Sequence, residues 1–240
     1  MVIESNVSTV KKDNGFKRIE QKCHQLSYMV KNQFVEKDVA VKLISSEEEL
    51  NQLSALRGKV YSQKNESIIS CYQDNLLLEK DDFDAYIFAF FFNGKMVASQ
   101  RIRMFPFEVC HYIEEQKLTS FLGEDFKDNY IEYSRLIVDN VHGLSSRMVA
   151  HCLAVISSTS ILIPMGIQRA ITYTKPRMKR KNINFSNENI DFFIEERAQT
   201  YHLFKVNIID DIIKRLKLEI TNPQEVIDFI SQRIDNQQSI

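Results

Sequence analysis

The chain lacks closely spaced cysteines: Cys23, Cys71, Cys110 and Cys152 are scattered at long intervals, with no C-x-x-C pair. That argues against a zinc knuckle, a thioredoxin-type redox site or a dense disulfide framework, and it fits a reducing compartment. Metal-ligand spacing is missing as well. His24, His111, His142, His151 and His202 form no H-x-x-x-H or H-E-x-x-H pattern, so no metal is expected. No apolar run approaches the roughly eighteen residues of a membrane span, and "MVIESNVSTVKKDNGFKRIEQ" holds no apolar core of a signal sequence. These absences lead to the expectation of a cytoplasmic protein. Charge surplus is also lacking: 31 basic against 32 acidic side chains give a net charge of -1, which supplies no global attraction to nucleic acid.

What is present suits a globular domain. The 240 residues are 44% hydrophobic and 26% charged, enough to bury a sizeable core. In residues 1–38, Phe16, Ile19, Cys23, Leu26, Met29 and Val30 recur at roughly helical spacing, which predicts an N-terminal helical extension. From Val39 the short strand "VAVKLI" leads into a helix. Its start carries Ser46 with Glu49 three residues on, a capping box, and Leu50, Leu53, Leu56 and Val60 follow at helical spacing. The stretch from Ser62 to Asp84 reads as a loop. "AYIFAFFF" and "MVASQRIRMF" flank Asn93-Gly94-Lys95, the signature of a tight antiparallel hairpin.

Beyond a polar, acidic stretch come the strand "YIEYSRLIVD", a helix from about Ser145 to Met165, the strand "IQRAITYT", and a helix opening at "KPRMKRKN". The strand "TYHLFKVNI" and amphipathic helices over Ile208–Leu218 and Pro223–Ile234 close the chain. The fold class is therefore α/β, a mixed central sheet flanked by helices. The expected division is an extension over 1–38, a catalytic domain over 39–210 and C-terminal helices over 211–240.

Strand alternation in "YIEYSRLIVD" puts Glu132, Ser134, Leu136 and Val138 on one face, and Tyr133, Arg135 and Ile137 on the other. A buried carboxylate costs several kcal/mol unless it is paired. Two readings stay open: ordinary surface charges at a strand end, or a general base at Glu132, with Ser134 beside it and Arg135 gripping a carboxylate or carbonyl.

The order of elements and their residues resembles the GNAT-like acyltransferases, and among them the acyl-homoserine-lactone (autoinducer) synthases and N-acyl amino acid synthases. The resemblance runs through Arg57 and Tyr61 in "LRGKVY", Asp81 and Asp84 in "KDDFD", Arg101 in "SQRIRMFP", and Glu132, Ser134 and Arg135 in "IEYSRLIVD". It implies a GNAT-like fold and acyl transfer to an amine, with no permanently bound cofactor. The donor would be a phosphopantetheine thioester, carried by an acyl carrier protein or by coenzyme A, sliding between "IEYSRLIV" and "QRAITYT". Glu132 would relieve the attacking amine of its proton. Arg57, Tyr61, Asp81, Asp84, Arg101 and Arg135 would shape the substrate site.

In the turn "DNVHGLSSRM" Gly143 is the only glycine, a poor cradle for a pyrophosphate, which points to a carrier-protein donor. The basic residues Lys175, Arg177, Lys179, Arg180 and Lys181 read either as a solvated face or as a docking patch for an acidic carrier protein. The expected activity is transfer of a fatty acyl group to an amino acid or amino-acid-derived amine, giving a lactone-type signal or an N-acyl amino acid. The alternatives are an acetyl-coenzyme A-dependent N-acetyltransferase and a binding module that has lost catalysis.

Overall fold

The computed structural model describes residues 14–31, 38–64, 77–176, 185–220 and 222–237. Among them, runs of β-branched and aromatic residues build the strands β1 (Val39–Leu43), β2 (Tyr86–Phe92), β3 (Lys95–Arg103), β4 (Tyr130–Val138), β5 (Arg169–Thr174), β6 (Phe185–Ile194) and β7 (Gln199–Asn207). They form one sheet in the order β1-β2-β3-β4-β5-β7-β6. Every neighbouring pair is antiparallel except β4 and β5, which run parallel. Asn93 and Gly94 turn the β2–β3 hairpin with φ of 49° and 72°, the double left-handed conformation that this residue pair tolerates.

The described helices are α1 (Asn14–Lys31), α2 (Glu47–Lys64), α3 (Glu115–Leu122), α4 (Phe126–Asn129), α5 (Ser146–Met165), α6 (Ile208–Leu216) and α7 (Pro223–Gln237). Local chemistry sets several of their ends. At α2, the Glu49 carboxylate accepts from the Ser46 amide at 3.1 Å while Ser46 Oγ accepts from the Glu49 amide at 3.2 Å, which closes the expected capping box. Ser145 caps α5, and Gly166 ends it in the left-handed region at φ 70°. Asn207 Oδ1 accepts from the amides of Ile209 and Asp210 at the start of α6.

Each face of the sheet has its own cover. On one face, Val41, Phe88, Phe90, Ile102, Ile131, Ala170 and Val206 share a core with α1, α5, α6 and α7. On the other, Ile87, Ala89, Phe91 and Ile137 meet α2, while Ile171, Ile190 and Leu203 meet the segment from Phe107 to Phe126. Helix α5 has the length and apolarity of a membrane span, yet 61% of its apolar window is buried, as suits a helix that backs a sheet.

Two features depart from the sequence reading. Strand β6 is absent from the expected order because "SNENID" is polar, and an edge strand with one wet face can carry such residues. The polar stretch after β3 folds into α3 and α4, whose Leu118, Leu122 and Phe126 are buried. The helix expected at "KPRMKRKN" lies almost wholly outside the described residues.

Helix α1 joins the main core directly. Phe16, Ile19, Cys23 and Leu26 are buried with Val149, Cys152 and Leu153 of α5, and Ser27 Oγ accepts from the Val41 amide of β1 at 2.8 Å. Replacing a fully buried aliphatic side chain by alanine costs about 2–5 kcal/mol. Ile19→Ala is therefore expected to lower unfolding free energy by that amount in urea titrations; a dispensable appendage would show almost no change.

Candidate active site

The site grows from an irregularity in β4. In the β3–β4 register Ser99 faces Ile137 and Arg101 faces Ser134, so Arg135 and Leu136 together oppose Gln100. This is a β-bulge, with Arg135 in the left-handed region at φ 52°. For a non-glycine residue that conformation costs roughly 1–2 kcal/mol. The bulge shifts the alternation by one residue. Ile137 packs on the α2 face and Val138 on the α5 face, the reverse of simple alternation, and Arg135 turns to the side of Glu132 and Ser134.

That face holds a buried ion network. Arg57 forks onto Asp82, with Nη1 to Oδ2 at 2.5 Å and Nη2 to Oδ1 at 2.9 Å, and also donates to the Leu77 carbonyl at 3.0 Å. Arg101 donates to Ser134 Oγ at 3.0 Å, to Glu79 at 2.6 Å, to Asp82 at 3.1 Å and to Glu108 at 2.5 Å. Arg135 bridges Glu79 at 2.5 Å and Glu108 at 2.7 Å and reaches the Tyr173 hydroxyl at 3.1 Å. Arg197, from the β6–β7 connection, adds bonds to the Tyr173 hydroxyl at 3.4 Å and to Glu108 at 3.3 Å. Burial alone would raise the carboxyl pKa values, but Arg135 and Arg101 hold Glu79 and Glu108 well below the usual range, and Arg57 does the same for Asp82.

Glu132 behaves differently. It is fully buried, and its oxygens accept from the amides of Glu108 at 2.6 Å and Val109 at 3.2 Å, at the start of the helical turn Glu108–His111. Burial, reinforced by the charge of Glu108, pushes its carboxyl from 4.5 up to about 7. In this geometry the carboxylate caps a turn.

Beside the network the sheet opens. The parallel β4–β5 ladder runs from Tyr130 opposite Arg169 to Tyr133 opposite Thr172, where Thr172 Oγ1 donates to the Tyr133 carbonyl at 3.0 Å. Past that rung β4 stays with β3 and β5 stays with β7, so the β4 edge from Ser134 onward has no β5 partner. Arg135 and Tyr173 stand on the two arms of this opening.

No family model and no curated protein matches the sequence. Solved structures do match. Superposition on the AHL synthase LasI covers 78% of this chain and 98% of that one, with a TM-score of 0.55 and 14% identity. FeeM, an N-acyl amino acid synthase from uncultured soil microbes, covers 73% of this chain and 93% of its own, with a TM-score of 0.55 and 13% identity. The fold is GNAT-like.

Within this GNAT-like fold the sequence-derived candidates separate. Arg57, Arg101, Ser134 and Arg135 meet in one network, and Glu132 abuts it through the backbone of Glu108. Tyr61 is buried in the α2 core. The acidic pair in the network is Glu79 and Asp82. Asp81 instead pairs with Arg103 at 2.6 Å, with His111 at 3.5 Å, and Asp84 is exposed, with no hydrogen bond or ion pair among the described residues. The E-x-x-D at Glu79 lies two positions before the D-x-x-D at Asp81, and spacing alone could not choose between them. Glu108, Tyr173 and Arg197 carried no local signal, because remote segments bring them in. Of the basic run, Lys175 is partly buried, and Arg177, Lys179, Arg180 and Lys181 lie outside the described residues. No group of three or more metal-ligating side chains occurs among the described residues.

Two outcomes follow from these pairings. Asp82→Asn strips the buried Arg57 of its bidentate partner and is expected to cost about 3–5 kcal/mol in chemical denaturation. Asp84→Asn should stay within about 0.5 kcal/mol of the wild type.

A further outcome concerns pH. Folding favours the protonated form of Glu132, so its contribution is full below 4.5 and is lost as pH rises through about 7. Glu79, Asp82 and Glu108 have depressed values, so their contribution holds above the ordinary carboxylate range and is lost in acid. The melting temperature is expected to peak at mildly acidic pH and to fall towards about pH 8. Glu132→Gln should flatten that fall; a slope as steep as that of the wild type would assign it to another group.

Proposed function

We propose that the protein is an N-acyltransferase that moves a fatty acyl group from a phosphopantetheine thioester to the amine of an amino acid or amino-acid-derived acceptor. The product is an N-acyl amino acid or an acyl-homoserine-lactone-type signal. The observation that carries this reading is the early end of the β4–β5 ladder beside a charged network. A pantetheine arm has two amides, and these can pair with the open β4 edge as a strand would. LasI and FeeM, whose fold this chain shares, bear names that describe acyl transfer of this kind.

The chemistry balances simply. The amine nitrogen bonds to the thioester carbonyl carbon, the carbon–sulfur bond breaks, and the thiolate leaves with a proton that the amine gives up. An acceptor arrives mostly as ammonium. Glu79, whose side chain is 23% exposed, is the network carboxylate such a cation meets. Its depressed pKa suits it to bind the cation and not to keep the proton. Glu132, at about 7, has a basicity suited to a general base at neutral pH. Its oxygens face the amides of Glu108 and Val109, so proton transfer to it calls for a bridging water.

A carrier protein is the favoured donor. A pyrophosphate needs free amides at the start of α5, but Ser145 Oγ already takes the Met148 amide at 3.4 Å. Asp139, at the head of the same turn, adds a nearly buried carboxylate paired with Lys59 at 2.5 Å. The basic run from Lys175 to Lys181 complements an acidic carrier.

The test is product identification by mass spectrometry, first in lipid extracts of overexpressing cells and then with purified protein. Acylated amines should accumulate, and acyl carrier protein should outperform acyl-coenzyme A as donor. Absence of any acylated amine from folded protein with either donor would overturn the reading, and turnover of acetyl-coenzyme A alone would replace it with acetyl transfer.

A further inference from the structure

Arg197 is the least satisfied cation of the network. Its two hydrogen bonds are long, at 3.3 and 3.4 Å, and both use oxygens that Arg135 already holds more closely, at 2.7 and 3.1 Å. Its Nε donates to nothing among the described residues, although the side chain is only 8% exposed. Its other contact is with the Tyr201 ring, 5.9 Å from the guanidinium carbon. A guanidinium carries five N–H donors in a planar fork, so most of this fork is unspent.

The sharing of anions points the same way. Arg57, Arg101 and Arg135 each hold a carboxylate oxygen at 2.5 Å, of Asp82, Glu108 and Glu79 respectively, whereas Arg197 reaches Glu108 at 3.3 Å. Among these four Arg197 holds the weakest share of the described carboxylates. It also sits in a defined place: Tyr173 belongs to β5, the arm of the opening that faces Arg135 on β4.

We propose that Arg197, with the Tyr173 hydroxyl, anchors a carboxylate on the acyl acceptor, so that the enzyme selects amines bearing a free acid. The proposal rests on the acyltransfer reading and names the specificity device of that same site. Glu79 and Arg197 are linked through Arg135 and Glu108: Arg135 donates to both carboxylates, and Arg197 donates to Glu108. The pair presents one partly exposed anion and one under-used cation, the pattern that a zwitterionic α-amino acid complements.

The test compares acids with their primary amides. In acylation assays with glycine and glycinamide as acceptors, the wild type should prefer the acid. Arg197→Gln should raise KM for glycine about 10- to 100-fold more than KM for glycinamide, the range for losing a charged hydrogen bond, so that the acid-to-amide preference falls by that factor. Arg197→Lys should recover part of the preference. An equal loss on both acceptors, or an unchanged acid-to-amide ratio, overturns the proposal. Calorimetry with N-dodecanoylglycine and its primary amide separates this idea from the acyltransfer reading, because it needs no turnover. Binding of the acid that weakens in Arg197→Gln while binding of the amide does not would keep the carboxylate site even if no acyl transfer were found. Failure of the folded wild type to bind the acid more tightly than the amide would remove the site.

Discussion

Taking an arginine out of water is expensive, and this protein does so several times in one place. The cost is met only because Asp82, Glu79 and Glu108 are delivered to the arginines with close hydrogen-bonding geometry, from two separate segments of the chain. Everything around the site serves that delivery. Asp82 sits in a short helical turn held beneath α2 by Arg57, and Glu108 opens another turn, fixed by Glu132. Loss of Asp82 would take from Arg57 its bidentate partner, and loss of Glu108 would weaken Arg101, Arg135 and Arg197 together, so the network ties the loop before β2, the segment after β3, and strand β4 into one unit.

The bulge in β4 is the geometric partner of that electrostatic constraint. Without it, Arg135 would point at the α5 face, into an apolar layer with Tyr133. With it, the side chain joins the network, and the ion pairs offset the backbone strain at φ 52°. The same residue stands where β4 and β5 part. Strain, charge and the opening of the sheet coincide at one position, and such coincidences mark functional sites more often than stable cores.

Much of the fold could be read in the sequence because its signals are local. The Asn93-Gly94 hairpin, the Ser46–Glu49 capping box and the Gly166 stop depend on residues a few positions apart. The candidate site was legible only in part, since Arg57, Arg101 and Arg135 stand out as charges inside apolar patterns while their partners do not. Glu79 sits among other acids, Glu108 follows a proline-containing turn, and Arg197 lies in a charged connection more than sixty residues from Arg135 by count along the chain. Alternation also misplaced Arg135, because a one-residue bulge has no pattern of its own. Strand β6 escaped notice for a related reason: an edge strand need bury only one side, so its polar residues look like loop.

The hydroxyl of Ser27, described above as a tie between α1 and β1, has a consequence for how copies of this chain meet one another. An exposed strand edge invites a second molecule to extend the sheet. At β1 that invitation is withdrawn, since Val41 donates its amide to Ser27 and its own carbonyl accepts from Cys23. At the other border β6 exposes Glu188 and Asp191, which pair with Lys205 and His202 of β7. Two different means, one a packed helix and the other charged side chains along the rim, make the two borders of the sheet poor templates for aggregation.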